Sequence, residues 1–178
     1  MSFLELAKAR YSVRKFKPDA VEPEKLQTIL EAARIAPTGA NRQPQRIIVV
    51  QQPEGLEKIA KAGKIYSAPL ALLVCAERAE AWVRPHDDKN IYETDAAIIT
   101  DHMMLMATEL GLGTLWVAHF NPGVIRKEFD LPPTWKPVSI LAVGYPDCPP
   151  APPDRHSKTR KTLTETVFFE SLSQLQNR

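Results

Sequence analysis

The fold follows first from one almost continuously apolar run, Pro69-Leu70-Ala71-Leu72-Leu73-Val74-Cys75-Ala76. A strand with one solvated face alternates apolar and polar residues, whereas a strand that is covered on both faces has no such alternation. The run therefore predicts a strand over residues 69–76 that lies deep in a sheet. Cys75, within this run, is expected to be a small core residue.

The rest of the chain supplies further helices and strands around this run. Helices are predicted where apolar residues recur at three- and four-residue spacing, and strands where β-branched residues cluster. The predicted helices span residues 22–36, 53–61, 93–110 and 121–129, and the other strands span residues 46–51, 114–118 and 138–145. Because helices and strands do not alternate strictly, we predict a single α+β domain over residues 1–178, with a central mixed or antiparallel sheet flanked by helices.

Three segments carry further expectations. The helix over residues 93–110 is apolar on more than one face, which predicts burial on several sides and favours a subunit interface there. Residues 77–92 are charged and have no sustained period, so we predict an irregular excursion, with a lid as one role for it. The tail from about residue 149 to residue 178 cannot form its own core, and we expect it to drape over this subunit or a neighbouring one, with a partly disordered terminus as the alternative.

The composition excludes several classes of function. With 178 residues and a net charge of +2, the chain is not a general nucleic-acid binder. It has no run of about 20 apolar residues that would cross a membrane, and its first residues do not resemble a secretion signal, so a cytoplasmic location is expected. Cys75, Cys148 and the scattered histidines lack metal-ligand spacing, so we expect no metal site.

A phosphate site is indicated by Arg10, Ser12 and Arg14, which stand at alternate positions just after a short amphipathic helix. An extended backbone would point these side chains in one direction. Guanidinium groups bind phosphate oxygens through paired, charge-assisted hydrogen bonds, and a hydroxyl can complete the set. The alternative is an ordinary solvated basic face. Two other unusual segments favour the phosphate, namely the polar loop over residues 36–44 and the basic cluster over residues 158–160.

One tempting motif does not apply. Gly111 and Gly113 invite comparison with a dinucleotide-binding fingerprint, but the third glycine is missing. These glycines also follow a helix and precede a strand, which is the reverse of the order that places a pyrophosphate at a helix N-terminus. The sequence therefore does not predict a dinucleotide fold.

Four ordered segments resemble the flavin-dependent nitroreductase family. They are Arg10-Tyr11-Ser12-Val13-Arg14-Lys15-Phe16, residues 33–44, Gly111 through Trp116, and Lys158-Thr159-Arg160. The resemblance covers nearly the whole chain and is to the compact members of the family. It implies a domain-exchanged, obligate homodimer with two FMN molecules at the subunit interface, and a C-terminal tail that wraps the partner subunit.

The resemblance also implies a role for each matching residue. Arg10, Ser12 and Arg14 would hold the phosphate and ribitol end of FMN, and Lys158 and Arg160 would close the same anion site. The residues that would contact the isoalloxazine ring are Pro37, Thr38, Asn41 and Gln43, with the 37–41 part coming from the partner, together with the backbone of Gly113, Thr114, Leu115 and Trp116. Asparagine and glutamine amides suit the pyrimidine edge of a flavin, because they both donate and accept hydrogen bonds.

The implied activity is that of an oxidoreductase without a catalytic side chain, since the flavin N5 carries the chemistry. NADH or NADPH would deliver a hydride and leave, and an electron-poor acceptor such as a nitroaromatic compound or a quinone would then use the same flavin face. Trp82, Tyr92 and His119 are candidates for the rim of the substrate pocket, although such residues more often serve packing. Gln45 stands where relatives commonly have an aromatic residue, so the substrate wall differs.

Two alternatives remain open at this point. The first is a nonenzymatic phosphate- or nucleotide-binding module, in which the arginines bind the ligand and the amide-rich loop recognises its base. The second is a flavoenzyme of the same fold with different chemistry, such as a dehalogenase or an azoline oxidase. A hydrolase is not predicted, because the chain has no GxSxG nucleophile motif.

Overall fold

The structure is a computed structural model that describes residues 1–152 and 154–170. The helices are α1 (Phe3–Ala9), α2 (Pro23–Ile35), α3 (Pro53–Ala62), α4 (Tyr92–Glu109), α5 (Pro122–Glu128), α6 (Arg155–Thr159) and α7 (Leu163–Thr166). The strands are β1 (Gln45–Val50), β2 (Leu70–Glu77), β3 (Val83–Arg84), β4 (Lys89–Asn90), β5 (Gly113–Val117) and β6 (Trp135–Gly144). Each helix and strand that the sequence predicts is present within a few residues of its predicted bounds.

The main sheet has four strands in the order β1-β2-β6-β5, and all three pairings are antiparallel. The predicted α+β class and the central sheet are thus confirmed. The apolar run forms β2, which is hydrogen-bonded to a neighbour on each side, as its lack of alternation predicts. Leu72, for example, is opposite Val49 of β1 and Leu141 of β6.

Helices cover both faces of this sheet. Leu70, Leu72 and Val74 of β2 belong to a core cluster with residues of α2 and α4. The alternate residues of β2 belong to a second cluster, which includes Ile59 of α3 and Ile125 of α5. Because successive strand residues point to opposite faces, a strand inside such a three-layer arrangement must be apolar throughout.

Within the subunit, the central helix α4 is buried along one face, whereas Ile98 and Leu105 on the opposite face are only partly buried. Burial of this helix on several sides therefore stays a prediction. Its buried residues are Asp95, Ala96, Ile99, Thr100, Met103, Met104 and Ala107. Two of these are polar. The Thr100 hydroxyl lies 2.9 Å from the Ser139 hydroxyl of β6, in a buried hydrogen bond, so that pair is satisfied within the core.

Residues 77–92 differ from the irregular segment predicted. They contain an antiparallel pairing of β3 with β4, in which Val83 is opposite Asn90 and Arg84 is opposite Lys89. Arg84 also forms an ion pair with Asp87 within the turn. The strands are only two residues long, which is too short for a period of two to be visible in the sequence.

The described part of the tail contains two short helices and contacts its own chain. Arg155 at the start of α6 donates hydrogen bonds to backbone carbonyls at the end of α1. Further along, three apolar side chains are exposed: Leu163 at 78%, Val167 at 41% and Phe169 at 74%. The expectation that the tail reaches a partner also concerns residues 171–178, which lie outside the described residues.

Candidate functional site

The segment that follows α1 runs beside strand β5. The Val13 amide donates a hydrogen bond to the Thr114 carbonyl at 2.9 Å, and Ser12 forms a parallel bridge with Thr114. Val13 and Phe16 are buried and anchor the segment in the core. Two predicted parts of the site, separated by about a hundred residues in the sequence, are therefore adjacent in the fold.

A cationic cavity lies where this segment meets the tail helix α6. Its volume is about 320 Å³. The residues lining it are Arg10, Tyr11, Ser12, Arg155, His156, Thr159 and Arg160. Three of these carry guanidinium groups, and among the described lining residues none carries a carboxylate. Such a cavity suits a compact anion.

The charges in this cavity affect one another. Partial burial lowers the pKa of Arg10, and the nearby positive charges of Arg155 and Arg160 lower it further. Asp101 acts in the opposite direction, with a smaller effect. The dominant influences thus disfavour the protonated guanidinium, and an anion in the cavity would relieve both the like-charge repulsion and the loss of hydration.

Arg155 connects the tail to the predicted phosphate segment. Its guanidinium Nη2 donates to the Lys8 carbonyl at 2.8 Å and to the Arg10 carbonyl at 2.5 Å. The cation therefore lies at the C-terminus of α1, where the last carbonyls lack intrahelical partners and the helix dipole favours positive charge. This contact holds α6 against the segment that carries Arg10 and Ser12.

Two basic residues that the sequence assigned to the phosphate site, Arg14 and Lys158, lie outside this cavity. Lys158 does not line the cavity among the described residues, and its Nζ lies 2.5 Å from the Asp154 Oδ2. Arg14 has Nη1 at 3.4 Å from the Ser12 carbonyl, a long contact. The structure thus brings Arg10, Ser12 and Arg160 together in one cavity, and it places Arg14 and Lys158 beside it.

Arg14 lines a neighbouring groove with a volume of about 500 Å³. The groove is bounded by the end of α3 and the following loop on one side, and by β5 on the other. Its other lining residues are Ala60, Lys61, Ala62, Gly63, Lys64, Tyr66, Leu115, Trp116, Val117, Ala118 and His119. Of the predicted residues, Leu115, Trp116 and His119 therefore share one groove with Arg14.

Gly113 of β5 packs against the side chains of Val13 and Pro146. A Cβ atom at this position would lie 2.6 Å from Cγ2 of Val13 and 2.8 Å from Cγ of Pro146. A side chain at this position would force Val13 or Pro146 to shift, so glycine favours the observed packing of the N-terminal segment against β5. The neighbouring Thr114 hydroxyl is buried and finds no hydrogen-bond partner within the described part of the chain.

The polar loop over residues 37–43 lies elsewhere in the subunit, against the start of α4. The Gly39 amide donates to Asp95 Oδ1 at 2.9 Å. Within the loop, the Gln43 amide donates to the Thr38 hydroxyl at 3.0 Å, and the Gln43 side chain donates to the Asn41 carbonyl at 3.2 Å. None of Pro37, Thr38, Asn41 and Gln43 lines the arginine cavity or the Arg14 groove among the residues described for them.

Of the remaining rim candidates, Trp82 lies against this loop, and Tyr92 follows Ile91, which also lies against it. The Trp82 Cβ lies 3.2 Å from where a Cβ on Gly39 would be. Tyr92 is the first residue of α4, and its hydroxyl donates to Glu93 at 3.0 Å. Neither Trp82 nor Tyr92 is among the residues that line the Arg14 groove, whereas His119 is.

Several residues of the two cavities escaped sequence reasoning. Arg155 and His156 line the arginine cavity, and their basic side chains just before the 158–160 cluster could have indicated them. The end of α3 and the turn that follows it also line the groove, and no motif marks them. Over residues 1–152 and 154–170, there is no metal-binding group of histidine, cysteine or acidic residues, and no described helix is long and apolar enough to cross a membrane.

These features define an α+β protein with an antiparallel sheet, an arginine-lined cavity and an adjoining groove along one edge strand. The chain belongs to the nitroreductase family, whose pattern it matches over residues 7–65 and 60–145. It is 31% identical, over 175 residues, to the FMN reductase [NAD(P)H] of Bacillus subtilis, with 88% of this chain and 68% of that protein covered.

Solved structures show the same fold. A nitroreductase family protein from Clostridium difficile 630 superposes with a TM-score of 0.95 at 54% identity, covering 97% of this chain and 100% of the other. An FMN-dependent nitroreductase from Clostridium difficile R20291 superposes with a TM-score of 0.77 at 25% identity, covering 96% of this chain and 100% of the other. The family resemblance drawn from the sequence motifs is thereby confirmed.

Proposed function

We propose that this chain is an FMN-dependent oxidoreductase that takes electrons from NADH or NADPH. The observation that carries the proposal is the cavity in which Arg10, Arg155 and Arg160 converge without a lining carboxylate among the described residues. A phosphate dianion is small enough for such a cavity, and its oxygens match guanidinium geometry. The relatives named for FMN support the same cofactor.

The groove beside this cavity suits the rest of the cofactor. It is continuous in sequence with the phosphate segment through Arg14, and strand β5 forms one wall of it. Bound FMN would supply hydride acceptance from the nicotinamide and donation to the acceptor. The chain would hold the phosphate through Arg10, Ser12 and Arg160, and the Leu115 and Trp116 region would cover part of the ring and exclude water.

Arg14 gives the groove a positive charge near its junction with the cavity. A guanidinium there would stabilise negative charge on a reduced ring that binds beside it. Because no described acidic residue lines the groove, this effect would not be cancelled locally. No side chain is assigned as a general acid, and the protons would come from water.

We also propose that the working unit is a homodimer. The loop that carries Asn41 and Gln43 lines neither cavity of its own subunit among the described residues, so the amides that suit a flavin edge would have to come from a second copy. Exposed apolar side chains also favour a partner surface: Phe3 and Leu4 of α1 are 72% and 63% exposed, and Phe169 of the tail is 74% exposed. Such side chains gain stability when a neighbour covers them.

The acceptor is proposed to be an electron-poor conjugated molecule, such as a nitroaromatic compound or a quinone. The half-buried Trp116 and the histidine His119 line the groove, and aromatic walls of this kind favour planar ligands. A dehalogenase or azoline oxidase has no specific observation in its favour here.

The test begins with the colour of the purified, desalted protein. We expect a flavin absorption spectrum, release of FMN on denaturation, and bleaching when NADH or NADPH is added without oxygen. Addition of a quinone or a nitroaromatic compound should then restore the oxidised spectrum. A colourless protein that does not bind added FMN would overturn the proposal and favour a nonenzymatic anion-binding module.

The homodimer is tested separately by light scattering on the same preparation. A dimer mass that persists at low micromolar concentration supports the proposal. A monomer that retains FMN would contradict the shared site, while the oxidoreductase assignment would stand.

A further inference from the structure

The carboxylate of Asp95 is buried and points at the polar loop instead of at solvent. Asp95 lies in the first turn of α4, and its residue is only 1% exposed. Oδ1 accepts a hydrogen bond from the Gly39 amide at 2.9 Å, whereas Oδ2 has no partner within the described part of the chain. Burial of a carboxylate costs free energy. This cost indicates that Asp95 does more than fill space in the core.

The loop that Asp95 contacts has an unusual backbone. Three residues that are not glycine have positive φ angles, namely Ala40 at 48°, Asn41 at 53° and Gln43 at 52°. Side chains with a Cβ atom rarely adopt this conformation, which costs free energy at each position. Surrounding contacts must therefore hold the loop in place.

Few contacts do so. Inside the loop, the Asn41 amide donates to the Thr38 carbonyl and the Arg42 amide donates to the Gly39 carbonyl, each at 3.0 Å. These bonds, like the Thr38–Gln43 bond, are local and fix only the shape of the loop. The Gly39–Asp95 bond joins residues 56 positions apart in the sequence, so it fixes the loop relative to the sheet and helices.

Gly39 makes this contact sterically feasible. A Cβ atom at this position would lie 2.4 Å from Cδ1 of Ile91 and 3.2 Å from Cβ of Trp82. Ile91 is the N-cap residue of α4. The helix start and the loop therefore interlock, with Asp95 forming the polar part of the contact and Ile91 the apolar part.

We propose that Asp95 is a positioning residue that sets the placement of the 38–43 loop, and through it the presentation of the Asn41 and Gln43 amides to the flavin. The part of this inference that concerns the flavin rests on the proposed function. The part that concerns the loop, namely that Asp95 fixes its position, does not depend on a bound cofactor. Asp95 itself does not touch the cofactor in this proposal.

The loop is tested in FMN-free protein by amide hydrogen exchange. In D95A, the amides of residues 39–43 should exchange about tenfold faster than in the wild type, because the only described long-range hydrogen bond to residues 38–43 is lost. D95N keeps an oxygen that can accept from Gly39, so it should retain most of the protection. T100V is the matched control, since it removes another buried polar group of α4 but leaves the loop untouched.

The consequence for the cofactor is tested by titration with FMN and by measurement of the flavin reduction potential. D95A should bind FMN about tenfold more weakly and should shift the potential, whereas D95N and T100V should resemble the wild type in both. If D95A does not accumulate as folded protein, D95S takes its place, because a serine hydroxyl at this position is too short to reach Gly39.

The outcomes separate the two proposals. Unchanged loop exchange in the alanine or serine variant would overturn the positioning role. Faster exchange with unchanged FMN affinity and potential would overturn the link to the cofactor. Equal effects in T100V would also overturn the proposal, since loss of general stability would then explain them. Failure of the wild type to bind FMN would instead contradict the proposed function.

Discussion

The Val13 amide and the Thr114 carbonyl are joined by a hydrogen bond of 2.9 Å. This bond places the N-terminal basic segment against edge strand β5, on the side of β5 away from β6. It brings the arginine cavity and the adjoining groove next to each other, since Ser12 lines the first and Leu115 lines the second. The geometry of the candidate site thus depends on how closely two backbones pack.

Replacement of Gly113 by alanine tests that packing. The added Cβ would lie 2.6 Å from the Val13 side chain, so we expect the unfolding free energy to fall by about 1–3 kcal/mol and FMN binding to weaken. Urea denaturation and flavin titration measure the two effects. Gly123→Ala is the control, because its new methyl would meet only the Asn121 Oδ1 at 3.2 Å. Equal stability of the two variants would contradict the close approach.

Removal of the Arg10 guanidinium tests the anion cavity. Loss of a charge-assisted hydrogen bond to the phosphate should weaken FMN binding by about 1.5–3 kcal/mol in Arg10→Ala, which is roughly 10- to 150-fold in Kd. Lys158→Ala should have a smaller effect, because Lys158 pairs with Asp154 and does not line the cavity. Fluorescence titration of the apoprotein gives both constants. An equal or larger effect of Lys158→Ala would show that the phosphate lies elsewhere.

Arg155 should link the tail to the body of the protein. In Arg155→Ala, the Lys8 and Arg10 carbonyls lose a cationic donor, and we expect a loss of about 1–3 kcal/mol in the unfolding free energy. Trypsin should also cleave faster in the tail after Lys158 and Arg160. Arg155→Lys keeps the charge but not the planar pair of donors, so it should be intermediate. Cleavage at the wild-type rate in the alanine variant would refute the link.

Removal of the Thr114 hydroxyl should stabilise the protein. Since it is buried without a partner among the described residues, its replacement by a methyl group in Thr114→Val should raise the unfolding free energy of FMN-free protein by about 1–3 kcal/mol. Thermal denaturation measures this change. Thr100→Val is the opposite case, because its hydroxyl is paired with Ser139, and it should lose stability. A destabilised Thr114→Val would mean that the hydroxyl has a partner in solution.

The two cysteines should differ in reactivity. Burial raises the pKa of Cys75 to about 12, so the thiolate is strongly disfavoured in the folded protein. Cys148 is only partly buried. Iodoacetamide at mildly alkaline pH should therefore modify Cys148 alone, and Cys75 should react only after denaturation. Peptide mass spectrometry identifies the labelled residue. Rapid labelling of native Cys75 would contradict its place in the core of β2.

Local chemistry in the sequence was sufficient for the longer helices, for the strands of the main sheet and for the family. The unbroken apolar run from Leu70 to Ala76 predicted a strand covered on both faces, and β2 is such a strand. The β3–β4 hairpin was missed, because two-residue strands are too short to produce a periodic signal.

The three-dimensional arrangement of the site required the folded chain. The sequence grouped Lys158 with Arg160, but a short helix directs Lys158 to Asp154 and brings Arg155 to the cavity instead. In the same way, nothing local marks Asp95 as the partner of Gly39. Cavities are made by contacts between residues far apart in the chain, and such contacts depend on the packing of the helices against the sheet. Periodicity and spacing carry information only about neighbours along the chain, so they could identify which residues are basic or polar but not which of them would meet.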